Sequence, residues 1–169
     1  MPVLLCAASC KKENKNEDQL PPATQTGANT FGCLVNGKVF VPRGYDGTGR
    51  PNPHVQYEYD LNGQPYLIIE ARQYTSNQIT GNIRIGFGNL NTLGYYPVSD
   101  SFNFSVGWIQ VIPNCGMGTS DPSVHVWGGG VITKLDNSND IISGTFEFKA
   151  IKPGCDTVRV TDGRFDIKF

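Results

Sequence analysis

Histidine is scarce in this chain: only His54 and His125 occur among 169 residues, in unrelated segments. A zinc site needs three or four histidine, cysteine or carboxylate ligands in near-tetrahedral geometry, so zinc chemistry has little to build on. Serine hydrolysis fares no better. A triad could be drawn from Ser101 or Ser123, His125 and an aspartate, but no Gly-x-Ser-x-Gly elbow presents a nucleophile. His125 alternates with Val124 and Val126 beside Trp127, the pattern of an ordinary strand residue. Excess charge is missing too: 14 Lys and Arg face 15 Asp and Glu, for a net charge of −1. A nucleic-acid partner would require a clustered basic footprint, so none is expected. No apolar run reaches the roughly 18 residues of a membrane-spanning helix. From Thr30 onward there are two alanines (Ala71, Ala150) and three glutamates (Glu58, Glu70, Glu147), so strong helix formers are almost gone and no substantial helix is expected.

What remains is rich in turn formers and rings, with 20 Gly, 11 Pro, 9 Phe, 7 Tyr and 2 Trp. Apolar and aromatic runs alternate with Asn-Gly, Asp-Gly and related turns, which predicts an all-β, antiparallel two-sheet sandwich of about nine or ten strands. Asn36-Gly37 between Phe31–Val35 and Lys38–Val41 reads as a two-residue hairpin. Val55–Asp60 and Pro65–Arg72 form a second hairpin whose register is decidable. A two- or four-residue loop would place Glu70 opposite Val55, among the aromatics. A three-residue loop closed by Asp60 and Gln64, with Gly63 left-handed, pairs Tyr59 with Pro65, Tyr57 with Leu67 and Val55 with Ile69. It leaves Glu58 and Glu70 together on the wetter face. Gly128-Gly129-Gly130 inside a strand pattern implies a bulge or a close backbone approach. Asp162-Gly163 either closes a hairpin or bulges one long terminal strand.

The N-terminus reads differently. Residues 1–9 (MPVLLCAAS) form a short apolar stretch ending in small residues before Cys10, the order of a secretory signal peptide, although no basic residue precedes the apolar part. Ala7-Ala8-Ser9-Cys10 resembles a bacterial lipobox, which would make Cys10 the lipidated residue and the membrane anchor. The alternative is an N-terminal tail with two incidental cysteines. Residues 10–29 carry balanced charges and Pro21-Pro22 and are expected to act as a flexible tether. Residues 30–169 then form the domain, about 140 residues, enough to bury roughly two-thirds of their surface.

Further residues carry a resemblance: Leu20-Pro-Pro-Ala-Thr-Gln-Thr-Gly27, Thr30-Phe-Gly-Cys-Leu-Val-Asn-Gly-Lys38, Ser143-Gly-Thr-Phe-Glu-Phe148 and Thr161-Asp-Gly-Arg-Phe-Asp166. Together these segments resemble a family of secreted Bacteroidota lipoproteins with a β-sandwich domain. The resemblance implies lipoprotein export and an all-β fold. It assigns no activity, ligand or functional residue.

Three thiols remain once Cys6 and Cys10 are set aside: Cys33, Cys115 and Cys155. Spacing cannot fix connectivity. Cys33 with Cys155, joining the two ends of the domain, is the preferred pair; Cys115 with Cys155, or three reduced thiols, are the alternatives.

Among sites, Asp136, Ser138 and Asp140 offer oxygen ligands at alternate positions and make calcium the more plausible metal, although the loop lacks the Gly and terminal Glu of an EF-hand. A polar hairpin turn explains the same residues. Glu58 and Glu70 on adjacent strands supply the paired carboxylates of a polysaccharide-acting hydrolase, or simply a solvated sheet face. The last constellation is aromatic: Tyr45, Tyr74, Tyr95, Tyr96, Trp108 and Trp127, several of them in Gly- and Asn-rich loop sequence, with Tyr95-Tyr96-Pro97 the first such loop. Exposed rings among them would stack sugars or anchor a protein; buried, they would be core. Arg43–His54, full of Gly and Pro, is a second candidate binding loop. The reading is an exported lipoprotein of the bacterial outer membrane, periplasmic or surface-facing. Its domain is a non-catalytic binding or structural module with a glycan or envelope-protein partner, and the hydrolase is the alternative.

Overall fold

The computed structural model describes residues 19–45, 47–99 and 103–169, so Cys10 and the segment read as a signal peptide lie outside the described residues. Ten strands follow in chain order: β1 (Thr30–Val35), β2 (Lys38–Phe40), β3 (His54–Tyr59), β4 (Pro65–Thr75), β5 (Gln78–Phe87), β6 (Gly94–Pro97), β7 (Phe104–Gln110), β8 (His125–Asp136), β9 (Ile141–Ile151) and β10 (Val158–Lys168). They form two antiparallel sheets, a six-stranded one in the order β2-β1-β10-β9-β8-β6 and a four-stranded one in the order β3-β4-β5-β7. The protein is an all-β two-sheet sandwich.

Local chemistry explains the connections. Asn36 and Gly37 adopt φ of 48° and 79°, the two left-handed positions that a tight hairpin between right-twisted strands requires. In the β3–β4 hairpin, Val55 pairs with Ile69, Tyr57 with Leu67 and Tyr59 with Pro65. Asp60 N–H donates to the Gln64 carbonyl at 2.9 Å, and Gly63 has φ of 74°. That is the three-residue loop argued from the sequence. Asp162-Gly163 bulges one continuous strand rather than closing a hairpin, with the β9–β10 register shifting between Val160 and Gly163.

The inward faces share a phenylalanine core. Phe87 meets Phe104 edge-on at 5.0 Å and Phe165 at 5.6 Å, while Phe31 stacks on Phe146 at 5.2 Å. The glycine run is a close approach: a Cβ on Gly130 would lie 2.4 Å from the Phe87 ring, so the absent side chain is what lets that ring cross between the sheets.

Two expectations need correction. First, the domain begins before Thr30. Residues 24–28 lie across the outward face of the six-stranded sheet, where the Asp166 carboxylate accepts from Thr24 Oγ1 (2.6 Å), Thr26 N (2.9 Å), Gly27 N (2.8 Å) and Ala28 N (3.2 Å). Ser143 Oγ adds a bond from beneath at 2.8 Å. Composition showed that this segment has no core to bury; it did not show that a buried carboxylate would collect its amides.

Second, the disulfide is Cys115–Cys155, and Cys33 is a reduced, buried thiol. Cys33 points into the core from β1, where burial pushes its thiol pKa up to about 12. Cys155 lies in a turn outside the strands. Cys115 lies in the segment after β7 that folds back on it, through reciprocal bonds between Ile109 and Met117. Lys152 clamps the same junction, reaching Asp121 at 3.1 Å and the Gly116 carbonyl at 3.1 Å. The bridge closes a separation of 40 residues, so replacing both cysteines by serine is expected to cost about 3 kcal/mol, read as a lower melting temperature. An unchanged melting curve would show that Lys152 and Asp121 hold the junction unaided.

Candidate functional site

The outward face of the four-stranded sheet carries a trough, because glycines replace side chains where neighbouring strands carry polar ones. Along β5 the alternation sends Ile83, Ile85 and Phe87 into the core and Asn82, Arg84 and Gly86 outward. Gly86 faces Ser105 of β7, and a bulge beside Arg84 places Gly107 next in the floor. A cavity of about 430 Å³ opens there between Arg84, Ser99, Ser105 and Thr119. It shares Ile68, Gly86 and Ser105 with a second cavity of about 460 Å³ that runs under Tyr66 to Asp60.

In the other direction Ser99 and Thr119 also line a smaller cavity with His125 and Trp127, and Trp127 continues into a shallow one beside Glu147, Lys149 and Arg159. The four join into one groove. It passes from the outer face of one sheet, over the side where β6 and β7 are the edge strands, onto the outer face of the other.

The rings proposed from sequence divide between these surfaces. Trp127 (55% exposed) and Tyr95 (62%) flank Gly129 on the six-stranded sheet. Tyr95 Oη donates to the Gly128 carbonyl at 3.2 Å, and Lys149 Nζ lies 5.7 Å from the Trp127 ring centre. Trp108 (42%) projects from the opposite sheet and rests on Gly116, where a Cβ would lie 2.2 Å from its ring, so one indole face is already covered. Tyr45 (62%) is exposed on its own loop. Tyr96, 7% exposed, is a correction: Tyr95-Tyr96-Pro97 is not a loop but strand β6, whose alternation turns Tyr96 inward against Phe87, its hydroxyl donating to Thr92 O at 2.6 Å. The Arg43–His54 loop is pinned rather than open at its ends. Asn52 donates to the Arg72 carbonyl at 2.8 Å and accepts from Arg72 N at 3.0 Å.

The paired carboxylates share the outward face of β3–β4 but do not form a hydrolytic pair. Glu58 lies opposite Tyr66 and Glu70 opposite His54. That separates them by four residues of strand, about 13 Å at the usual rise, beyond the span of a glycosidase acid and its partner. Burial alone would raise the Glu70 pKa, but hydrogen bonds from Arg72 and Asn82 outweigh it and hold the carboxyl below its ordinary value. Its contacts are 2.6 Å to Arg72 and 3.1 Å to Asn82 Nδ2. An acid catalyst needs the opposite shift. The His54 pKa is lowered as well, by burial first and then by the Arg50 charge. Around this pair, His54 Nε2, Arg72 Nε and Asn82 Oδ1 are buried without a hydrogen-bond partner among the described residues.

At the calcium candidate, the Asp136 carboxylate accepts from Ser138 N and Asn139 N at 3.2 Å and from Asn139 Nδ2 at 2.9 Å, with Lys134 3.6 Å away. Both oxygens cap the β8–β9 turn, and Asp140 adopts φ of 56° as part of it. Among the described residues no three His, Cys, Asp or Glu side chains gather round one point.

Sequence reasoning missed Arg84, Ser99 and the trough. The available signal was the Ile83-Arg-Ile-Gly-Phe87 alternation, which sets a glycine at an outward position of an interior strand. The fold and the groove define an antiparallel β-sandwich with a polar, aromatic-ended surface channel. Neither a family model, nor a curated protein, nor a solved structure matches the chain.

Proposed function

We propose that this chain is an exported, lipid-anchored, non-catalytic module that binds glycan chains in the groove between Tyr66 and Trp127. The observation that carries the reading is Trp127. Its ring is 55% exposed and lines both the cavity shared with Ser99 and Thr119 and the shallow one beside Lys149, so an apolar face adjoins spaced hydroxyl and charged groups, the mixture that sugar rings require. A protein partner would favour a broad apolar patch, whereas serine and threonine hydroxyls and Arg84 interrupt the lining of this groove. The lipidation expected at Cys10 fits the same picture. Eight residues lie between Cys10 and Gln19, so a lipid there would hold the domain within about 30 Å of the bilayer.

The test is a glycan array probed with the full chain carrying Cys10→Ser, which removes the anchor. A saturable hit is expected, weakened about tenfold by Trp127→Ala, or about 1.4 kcal/mol, and by less than about twofold by Trp108→Ala. An array without a saturable hit, or hits indifferent to Trp127, would overturn the reading.

A further inference from the structure

Arg84 is the unusual residue of the channel. Its stem lies across β7 where Gly107 has no side chain: a Cβ there would be 3.1 Å from Arg84 Cγ and 3.2 Å from Cδ. The stem is packed over Gly107, and Arg84 lines the 430 Å³ cavity. Among the described residues it makes no hydrogen bond and no ion pair. Its outward neighbour Glu70, opposite it across the β4–β5 ladder, is already taken by Arg72 at 2.6 Å and by Asn82. The Glu70 carboxylate feels the Arg84 charge, yet no direct bond joins the two among the described residues, which leaves the guanidinium's donors open to a ligand.

The rest of the cavity completes the pattern. Ser99 Oγ is buried and has no hydrogen-bond partner among the described residues. The side-chain hydroxyls of Ser105 and Ser120 also carry no hydrogen bond among the described residues, while Thr119 Oγ1 spends its proton on the Val106 carbonyl at 3.2 Å. Among the described residues no carboxylate lines the cavity. It thus carries a cation and three unused hydroxyls in its lining. A neutral sugar hydroxyl can bond to those hydroxyls in either direction, since each both donates and accepts; an oxyanion adds the stronger charge-assisted bonds of the guanidinium. At the other end of the groove Lys149 and Arg159 stand beside Trp127, opposed by Glu147 alone, so a second anionic unit of the same chain would also be met by positive charge.

Resting on the glycan reading above, we infer that the groove selects acidic glycans, with the carboxylate or sulfate of one sugar unit bound by Arg84 together with Ser99, Ser105 and Ser120. The guanidinium fork matches both anions bidentately, so the shared chemistry is a charged oxyanion on a sugar ring.

The experiment is isothermal titration of the full chain carrying Cys10→Ser. The probes are a galacturonate hexamer, a mannuronate hexamer and a sulfated galactan hexamer, each beside its methyl-esterified or desulfated counterpart. At least one acidic probe is expected to bind about tenfold tighter than its neutral form, a margin that shrinks with added salt. Arg84→Gln should erase that margin, bringing the acidic form to the affinity of its neutral counterpart. Arg84→Lys, which keeps the charge and loses the fork, should retain part of it. Whether the carboxylate or the sulfate arm shows the margin identifies the anion. Equal binding of acidic and neutral forms, with Trp127→Ala weakening both, would overturn the acidic selection and leave the glycan reading intact. A margin that survives Arg84→Gln in a variant with unchanged melting temperature would overturn the assignment to Arg84. Binding to none of the acidic probes while neutral glycans on the array bind would overturn the inference alone, and a blank array would remove both.

Discussion

Asp166→Ala is expected to destabilise the chain by about 4 kcal/mol, the cost of removing one member of a buried charged network and stranding the others. Asp166 is 1% exposed, and Ser143 beneath it equally so. One oxygen accepts from Gly27 N and Ser143 Oγ, the other from Thr24 Oγ1, Thr26 N and Ala28 N. Without the carboxylate, those amides face the sheet with no acceptor, and residues 24–28 lose their reason to lie there. Urea denaturation measures the loss, and hydrogen exchange locates it: the amides of Thr26, Gly27 and Ala28 should exchange at nearly unfolded rates while those of β9 stay slower. A loss under about 1 kcal/mol would mean that the segment is held by its other contacts, such as Lys134 Nζ on the Gln25 carbonyl at 3.0 Å.

The same residue sets an acid dependence. Burial would raise the Asp166 pKa, but the bonds from Thr24, Thr26, Gly27 and Ser143 outweigh it and hold the carboxyl well below its ordinary 3.8. A group whose folded pKa is depressed contributes stability that is complete above its unfolded value and is lost as pH falls toward the folded one. The advantage of the native chain over Asp166→Ala should therefore be constant near neutrality and shrink as the pH drops below about 4. A gap that holds steady under acid would show that the carboxylate's charge is not what fastens the segment.

How much of this was legible depended on whether the information was local. The β3–β4 register followed from the sequence because a one-residue slip moves Glu70 into the core, and only one loop length avoids it. Asn36-Gly37 was legible for the same reason, since two adjacent left-handed positions have few other uses. The strap at Asp166 was not, because its donors are backbone N–H groups, which every residue has, and its acceptor lies some 140 positions away in the chain. Strand β6 was missed because four residues ending in proline look like a loop; its place at the sheet edge, paired on one side with Gly129–Ile132, is what tolerates the proline. Connectivity of the cysteines failed because spacing carries no direction, whereas the inward turn of Cys33 on β1 decides the matter. Arg84 was hidden by its neighbours: only the bulge that lays Gly107 under its stem makes it more than another outward polar residue.

Gly128→Ala tests whether the glycine run is structural at its first position and functional through it. Gly128 has φ of 128°, a backbone conformation that side-chain-bearing residues rarely adopt, and a Cβ built there would lie 2.2 Å from the Glu147 carbonyl oxygen and 2.7 Å from Phe148 Cα. Both obstacles are backbone of the adjacent strand β9, so no rotamer change relieves them and β8 must move off its partner. The expected loss is about 4 kcal/mol, combining conformational strain with overpacking between paired strands. Gly63→Ala is the control. It has φ of 74° with nothing within 4 Å, so it carries strain alone and should cost about 1 to 2 kcal/mol. Displacement of β8 would also be felt in the groove, since the Gly128 carbonyl accepts from Tyr95 Oη at 3.2 Å and from Val98 N at 2.9 Å. Those two bonds hold Tyr95 over β8 and lead the chain from β6 toward Ser99. Gly128→Ala should therefore weaken glycan binding even below its lowered melting temperature, while Gly63→Ala should leave affinity unchanged. Equal melting temperatures for the two variants would show that the strands part at little cost. A destabilised Gly128→Ala with native affinity would show that the Trp127 platform does not depend on the register of β8.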